Sequence, residues 1–144
     1  MNLHTALRQG TKLLEEASVP AARLTAEVLL AHALQVRREY FFAHPEEELT
    51  ELAWIHFGRY LYERIGGKPT QYITKQQEFY GRPFFVSPAV LIPRPETEHV
   101  VETALRLAPG ARRIVDVGCG SGAIAVSLAL EIAGSQVAAC DISL

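Results

Sequence analysis

The residue types and spacing that could do chemistry lie in one stretch, Asp116-Val117-Gly118-Cys119-Gly120-Ser121-Gly122, followed after about 20 residues by Asp141. The stretch reads as a strand running into a glycine-dense turn. An apolar helix follows from Ala123 to Ala133, then a second strand that ends at Asp141. Strand, glycine turn, helix and strand, with an acid closing the second strand, make a βαβ unit of the nucleotide-binding kind. Glycines let the chain turn tightly and let its backbone approach a ligand where a Cβ would intrude. The helix N-terminus adds N–H donors. A carboxylate at the strand end can accept hydrogen bonds from both hydroxyls of a ribose.

Two ligands fit that spacing. Gly118, Gly120 and Ala123 match G-x-G-x-x-A, the dinucleotide fingerprint, which would make the chain part of an NAD-dependent oxidoreductase. Asp116, Gly118, Gly120 and Gly122 match D-x-G-x-G-x-G. Asp116 favours the second pattern, because a carboxylate just before the turn gains little beside an anionic pyrophosphate and much beside a cation. S-adenosylmethionine carries a sulfonium, an ammonium and a ribose, and no phosphate. Both ligands, and a glycine turn that binds nothing, stay open on these residues alone.

The elements that would position the turn change character along the chain. From Asn2 to Glu16, Leu3, Ala6, Leu7, Leu13 and Leu14 fall on one helical face. Ser18-Val19-Pro20 breaks that helix, and Ala21 to Gln35, apolar almost all round, belongs in the middle of a bundle. A short helical piece, Arg38 to His44, follows. Beyond Pro45 the longest helix begins, with Glu46, Glu47 and Glu48 in its first turn, where the macrodipole favours negative charge. Its inner face is Leu49, Leu52, Ala53, His56, Phe57, Tyr60 and Leu61, and Gly66 and Gly67 cap its end. Trp54, Phe57 and Tyr60 read as packing residues, and Arg37, Arg38 and Glu46 to Glu48 as solvated charges.

Residues 1–67 thus form a helical domain, residues 68–94 a linker, and residues 95–144 the start of the glycine-turn domain. The linker holds two β-prone runs, Gln76–Tyr80 and Pro83–Ser87, joined at Gly81-Arg82 as a hairpin that bridges the two domains. Arg94 lies between Pro93 and Pro95 and so cannot easily be helical. Pro95 suits the first turn of a helix with Glu96 and Glu98 beside it, and Val100, Val101, Ala104, Leu105 and Leu107 give that helix its apolar stripe. Ile114, Val115 and Val117 read as a buried strand.

Composition limits the alternatives. With 144 residues, 49% hydrophobic and 21% charged, the chain is globular rather than disordered. A net charge of −2 leaves no electrostatic footprint for nucleic acid or an anionic membrane, which argues against a nucleic-acid methyltransferase. No apolar run is long enough to span a bilayer. Two cysteines without metal-ligand spacing and five scattered histidines point to no metal site and to a reducing, cytoplasmic setting.

The runs "EFYGRPFFVSPAVLIPRPETEHVVE", "VDVGCGSGAIAVSLA" and "ACDIS" closely resemble the HemK family, the N5-glutamine methyltransferases that modify peptide chain release factors in translation termination. The Leu91–Glu98 segment is specific to that family and the glycine motif to class I methyltransferases. The resemblance implies an α/β fold: an N-terminal helical bundle that binds substrate, a linking β-hairpin, and the first βαβ part of a Rossmann-like domain. It implies methyl transfer from S-adenosylmethionine to the side-chain amide nitrogen of the glutamine in a Gly-Gly-Gln motif. Gly118, Cys119, Gly120, Ser121 and Gly122 would line the cofactor with Asp116, and Asp141 would bind its ribose. Arg94, Pro95, Glu96 and Thr97 would border the active-site mouth.

The family's Asn-Pro-Pro-Tyr motif, which holds the glutamine amide in line with the sulfonium, does not occur here, and Asn2 is the only asparagine. A catalytic residue is therefore not assigned. Two parallel strands leave sheet edges and apolar faces uncovered. The expectation is a fragment of a longer methyltransferase, inactive alone, or else a chain whose missing strands come from a partner or an oligomer contact. A non-catalytic module that docks a release factor or another protein is the alternative function.

Overall fold

The computed structural model describes residues 1–143; the last residue of the 95–144 segment lies outside the described residues. The fold mixes helix and strand: an N-terminal helical part and a partial Rossmann-like start, with two two-stranded sheets among the described residues. The chain divides into two compact units, the first Met1–Thr74 and the second from Lys75 onward.

In the first unit, α1 (Leu3–Glu16) starts where the Asn2 side chain accepts the Thr5 N–H at 2.9 Å. Its buried stripe is Leu3, Ala6, Leu7, Gly10 and Leu14; Leu13, at the edge of that stripe, is exposed. The helix α2 (Ala22–Leu34) buries residues all round and packs against α1 and α4 (Glu51–Ile65), the central position its composition predicts.

The helix α4 begins later than expected. Thr50 is its N-cap and accepts the Ala53 N–H, so Glu46 to Glu48 lie outside the helix. Nor are these glutamates merely solvated. Glu46 accepts from the Asn2 amide at 2.7 Å, Glu47 from the Tyr40 hydroxyl at 2.6 Å, and Glu48 pairs with the Met1 ammonium. They pin the chain start and α3 (Tyr40–Ala43). Arg38 is exposed as expected but has a partner the sequence did not show: with Arg23 it clamps the buried Glu27, each at 2.7 Å.

On α4, Ala53, Phe57 and Leu61 are buried, with Trp54 and Tyr60 packed partly against the core; Leu52, assigned to the inner face, is exposed. Gly66 caps the helix and Gly67 takes φ +96°. A short helix that the sequence did not announce, α5 (Thr70–Thr74), then places Ile73 in this same core. Pro69 starts it, its carbonyl accepting the Ile73 N–H at 3.2 Å.

The second unit opens with the hairpin of β1 (Gln76–Phe79) and β2 (Arg82–Phe85). Its turn is Tyr80-Gly81, not Gly81-Arg82, because Arg82 pairs with Phe79. Both turn residues have positive φ, +51° and +70°, the form whose twist matches that of the strands. Phe79 and Phe84 meet edge-to-face, and Val101, Ala123, Leu128 and Ile132 complete their core.

Arg94 is extended, as the following proline demands, and a 3-10 turn, Pro95–Thr97, leads into α6 (Glu98–Leu107). The stripe of α6 is narrower than predicted. Val101 is buried and Ala104 and Leu105 partly so, while Val100 and Leu107 are exposed. The βαβ unit follows as β3 (Arg113–Val117), α7 (Ala123–Glu131) and β4 (Gln136–Cys140), the strands parallel with Val117 opposite Cys140. The helix stops two residues before Ala133, and Gly134 turns the chain at φ +77°. The strand β3 is not buried on both faces. Ile114 packs in the core, but Val115 is 67% and Val117 79% exposed, since alternate side chains point to the open face of a two-stranded sheet.

Candidate functional site

The glycine turn is built by hydrogen bonds from its own amides. Gly118 N and Cys119 N both donate to the Cys140 carbonyl, at 2.8 and 3.1 Å, which fastens the turn to the end of β4. Gly122 N donates to the Cys119 carbonyl at 2.8 Å, closing the loop on itself. Gly120 N donates to Asp141 Oδ2 at 2.7 Å, and Asp141 Oδ1 accepts from Ser143 N at 2.9 Å. Gly118 and Gly120 have φ of +77° and +53°, and a Cβ added at either would meet nothing within 4 Å. The turn therefore presents bare backbone to open space, which only glycine does without strain.

Asp116 takes a role the sequence did not reveal. Gly122 is the N-cap of α7 and has no side chain to offer. Asp116 supplies the missing acceptor from the neighbouring strand: its Oδ2 accepts the Ala125 N–H at 3.1 Å. A carboxylate thus sits at the positive end of the helix dipole, and strand, turn and helix are locked together.

These bonds set the local protonation. The N–H groups of Ser143 and Gly120, with a smaller contribution from Ile142, outweigh desolvation and hold the Asp141 carboxyl below its ordinary 3.8, so it is ionised at neutral pH. Desolvation, and then the carboxylates of Asp116 and Asp141, push the Cys119 thiol above its usual value. Both cysteines are free.

The structure thus brings together Asp116, Gly118, Cys119, Gly120, Ser121, Gly122 and Asp141 around one turn at the carboxyl ends of two parallel strands. Arg94, Pro95, Glu96 and Thr97 form the 3-10 turn that leads into α6: Thr97 N donates to the Arg94 carbonyl at 3.0 Å, and Arg94, Pro95 and Glu96 are exposed. Two residues make contacts that the sequence reading does not show. Glu98 accepts the Tyr80 N–H at 2.8 Å and so ties the hairpin turn to α6. Ser143 donates from its backbone to Asp141 and from its hydroxyl to the Ala89 carbonyl at 2.6 Å. An aspartate followed two residues later by serine is an Asx-turn signal, which could have flagged the latter.

Among the described residues no group of three or more His, Cys, Asp or Glu side chains could hold a metal ion, and no helix is long and apolar enough to cross a membrane.

Residues 5–74 match the family model described as the PrmC N-terminal domain. The chain is 50% identical, over 99% of its length, to the release factor glutamine methyltransferase of Koribacter versatilis, of which it covers 52%. It is 46% identical over 95% of its length to that of Nitratidesulfovibrio vulgaris, covering 47%, and 46% identical over 99% to that of Moorella thermoacetica, covering 51%. The chain spans about half the length of the curated relatives it matches. Helical unit, glycine turn and relatives agree: the chain belongs to the release factor glutamine methyltransferase family.

Proposed function

We propose that this protein transfers a methyl group from S-adenosylmethionine to the side-chain amide nitrogen of the glutamine in the Gly-Gly-Gln motif of a peptide chain release factor. In this reading Gly118 to Gly122 line the cofactor and Asp141 binds its ribose. The observation that carries the choice of cofactor is the fate of the turn's donors. The N–H groups of Gly118, Cys119, Gly120, Gly122 and Ala125 are all spent on protein acceptors, two of them carboxylates. A pyrophosphate needs those donors and is repelled by those charges. A ribose and a sulfonium need an acceptor and a negative field, which Asp141 and Asp116 provide.

The bare backbone at Gly118 and Gly120 fits the group, leaving open the space a Cβ would fill. Bound there, S-adenosylmethionine supplies an electrophilic methyl on a positively charged sulfur. The chain's own residues hold it: beyond the bonds it accepts from Gly120 and Ser143, Asp141 keeps lone pairs for ribose hydroxyls. Arg94, Pro95, Glu96 and Thr97 remain the proposed border of the site. The helical unit is the proposed docking part for the release factor, and two free thiols suit the cytoplasm.

Calorimetry tests the cofactor directly. Heat on adding S-adenosylhomocysteine and none on adding NAD is expected; the reverse would replace the methyltransferase reading with the oxidoreductase one. Transfer of labelled methyl to a release factor, lost when the Gly-Gly-Gln glutamine is replaced, tests the substrate. Capture of the release factor without transfer would leave a docking module.

A further inference from the structure

We propose that Ser143 is a positioning residue of the cofactor site, tying the loop that leads into Arg94 to the carboxylate that holds the ribose. The inference rests on the reading of Asp141 given above. It begins from an unbroken run of hydrogen bonds. The Ala89 carbonyl accepts from Ser143 Oγ at 2.6 Å, Ser143 N donates to Asp141 Oδ1 at 2.9 Å, and Asp141 Oδ2 accepts from Gly120 N at 2.7 Å. Three segments far apart in sequence, at positions 89, 120 and 141–143, are joined through one serine.

The two ends of this run differ in kind. Backbone bonds to the two oxygens of Asp141 fix the plane of its carboxylate and leave lone pairs on it for a ligand. The Ser143 N–H is also one of the bonds that hold this carboxyl below its ordinary value. The hydroxyl bond works on the other side. Ala89 belongs to a tight turn in which Val90 N donates to the Ser87 carbonyl and Ala89 N to Ser87 Oγ. Five residues later the chain reaches Arg94 and the 3-10 turn. The Ser143 hydroxyl thus sets the distance between that loop and Asp141. Alanine at 143 keeps the backbone bond and loses the tether.

Separate readouts distinguish this positioning from the cofactor reading. In Ser143→Ala, the Gly120 amide should exchange with solvent faster, measured by hydrogen exchange without cofactor, while the melting temperature stays unchanged. Affinity for S-adenosylhomocysteine should fall about three- to tenfold, the scale of one hydrogen bond. Ser143→Thr, which keeps the hydroxyl, should restore both. Unchanged exchange at Gly120 in Ser143→Ala overturns the positioning role, whatever the cofactor does. Faster exchange in a protein whose parent form binds no S-adenosylhomocysteine supports the tether and overturns the cofactor reading instead.

Discussion

Asp141 closes the glycine turn by accepting the Gly120 N–H at 2.7 Å, at a residue whose φ is +53°. One carboxylate therefore shapes the turn and faces the proposed ribose. Asp141→Ala should weaken binding of S-adenosylhomocysteine at least about tenfold, since both a ligand acceptor and the turn's anchor are lost. Unchanged affinity by calorimetry would remove Asp141 from the site. Because its carboxyl stays ionised to below 3.8, binding should hold as the pH is lowered to about 5. Gly120→Val should be worse than Asp141→Ala, because a β-branched residue is strained at that φ and fills the open space above the turn.

Asp116 separates two jobs that the motif alone cannot. As the acceptor for Ala125 N it stabilises α7, and as a charge it favours a cationic ligand. Asp116→Asn keeps an oxygen for the helix and removes the charge, whereas Asp116→Ala removes both. We expect Asp116→Ala to cost about 1 kcal/mol of stability in denaturant unfolding, the scale of a lost helix cap, and Asp116→Asn less than half of that. Equal losses in the two variants would show that charge, not the hydrogen bond, supports the helix.

That distinction marks what was legible in the sequence. The βαβ order, the glycine turn and Asp141 were readable because each rests on a local rule: period, backbone freedom, and an acid at a strand end. The order of helices and the packing roles of Phe57 and Tyr60 were readable for the same reason. Boundaries set by distant partners were not. Thr50 rather than Pro45 starts α4 because Glu46 to Glu48 are held by Asn2, Tyr40 and Met1, none of them a neighbour in sequence. Arg38 reads as a surface charge, which it is, but its pairing with the buried Glu27 shows only in the fold. Val115 and Val117 look like core until the extent of the sheet is known.

Cys119 should react slowly despite its place in an open turn. Desolvation and the nearby carboxylates of Asp116 and Asp141 raise its pKa, so less of the nucleophilic thiolate exists at neutral pH. Iodoacetamide labelling followed by peptide mass spectrometry should modify the exposed Cys140 first. Cys119 should catch up as the pH rises, and earlier in Asp141→Asn. Faster labelling of Cys119 at pH 7 would contradict this field.

The helical unit offers a test of packing alone. A methyl group at Gly10 on α1 would lie 2.5 Å from Cζ of Phe57 on α4, closer than carbon atoms approach. Phe57 is fully buried, so its ring has nowhere to move. Although alanine favours a helix over glycine, Gly10→Ala should destabilise the unit by about 1–3 kcal/mol, the overpacking range. Gly10→Ala with Phe57→Leu should recover part of the loss relative to Phe57→Leu alone. Stabilisation by Gly10→Ala in thermal unfolding would mean that α1 and α4 are farther apart than this contact requires.

Glu27 gives the helical unit an acid limit. Burial pushes its carboxyl up, but hydrogen bonds from Arg23 and Arg38, and their charges, outweigh that and hold it below 4.5. A carboxyl whose folded pKa is depressed contributes stability that is fully present above its unfolded value and is lost as the pH falls through the folded one. The contribution should therefore be intact at neutral pH and decline from about pH 4.5 downwards. Glu27→Gln should flatten that part of the stability profile. Glu27→Ala should cost about 2 kcal/mol at pH 7, less than for a fully buried pair because both arginines are about half exposed. Chemical denaturation of the chain at pH 7 and pH 4 measures both effects. An identical pH dependence in the parent protein and Glu27→Gln would show that the acid sensitivity lies in other carboxylates.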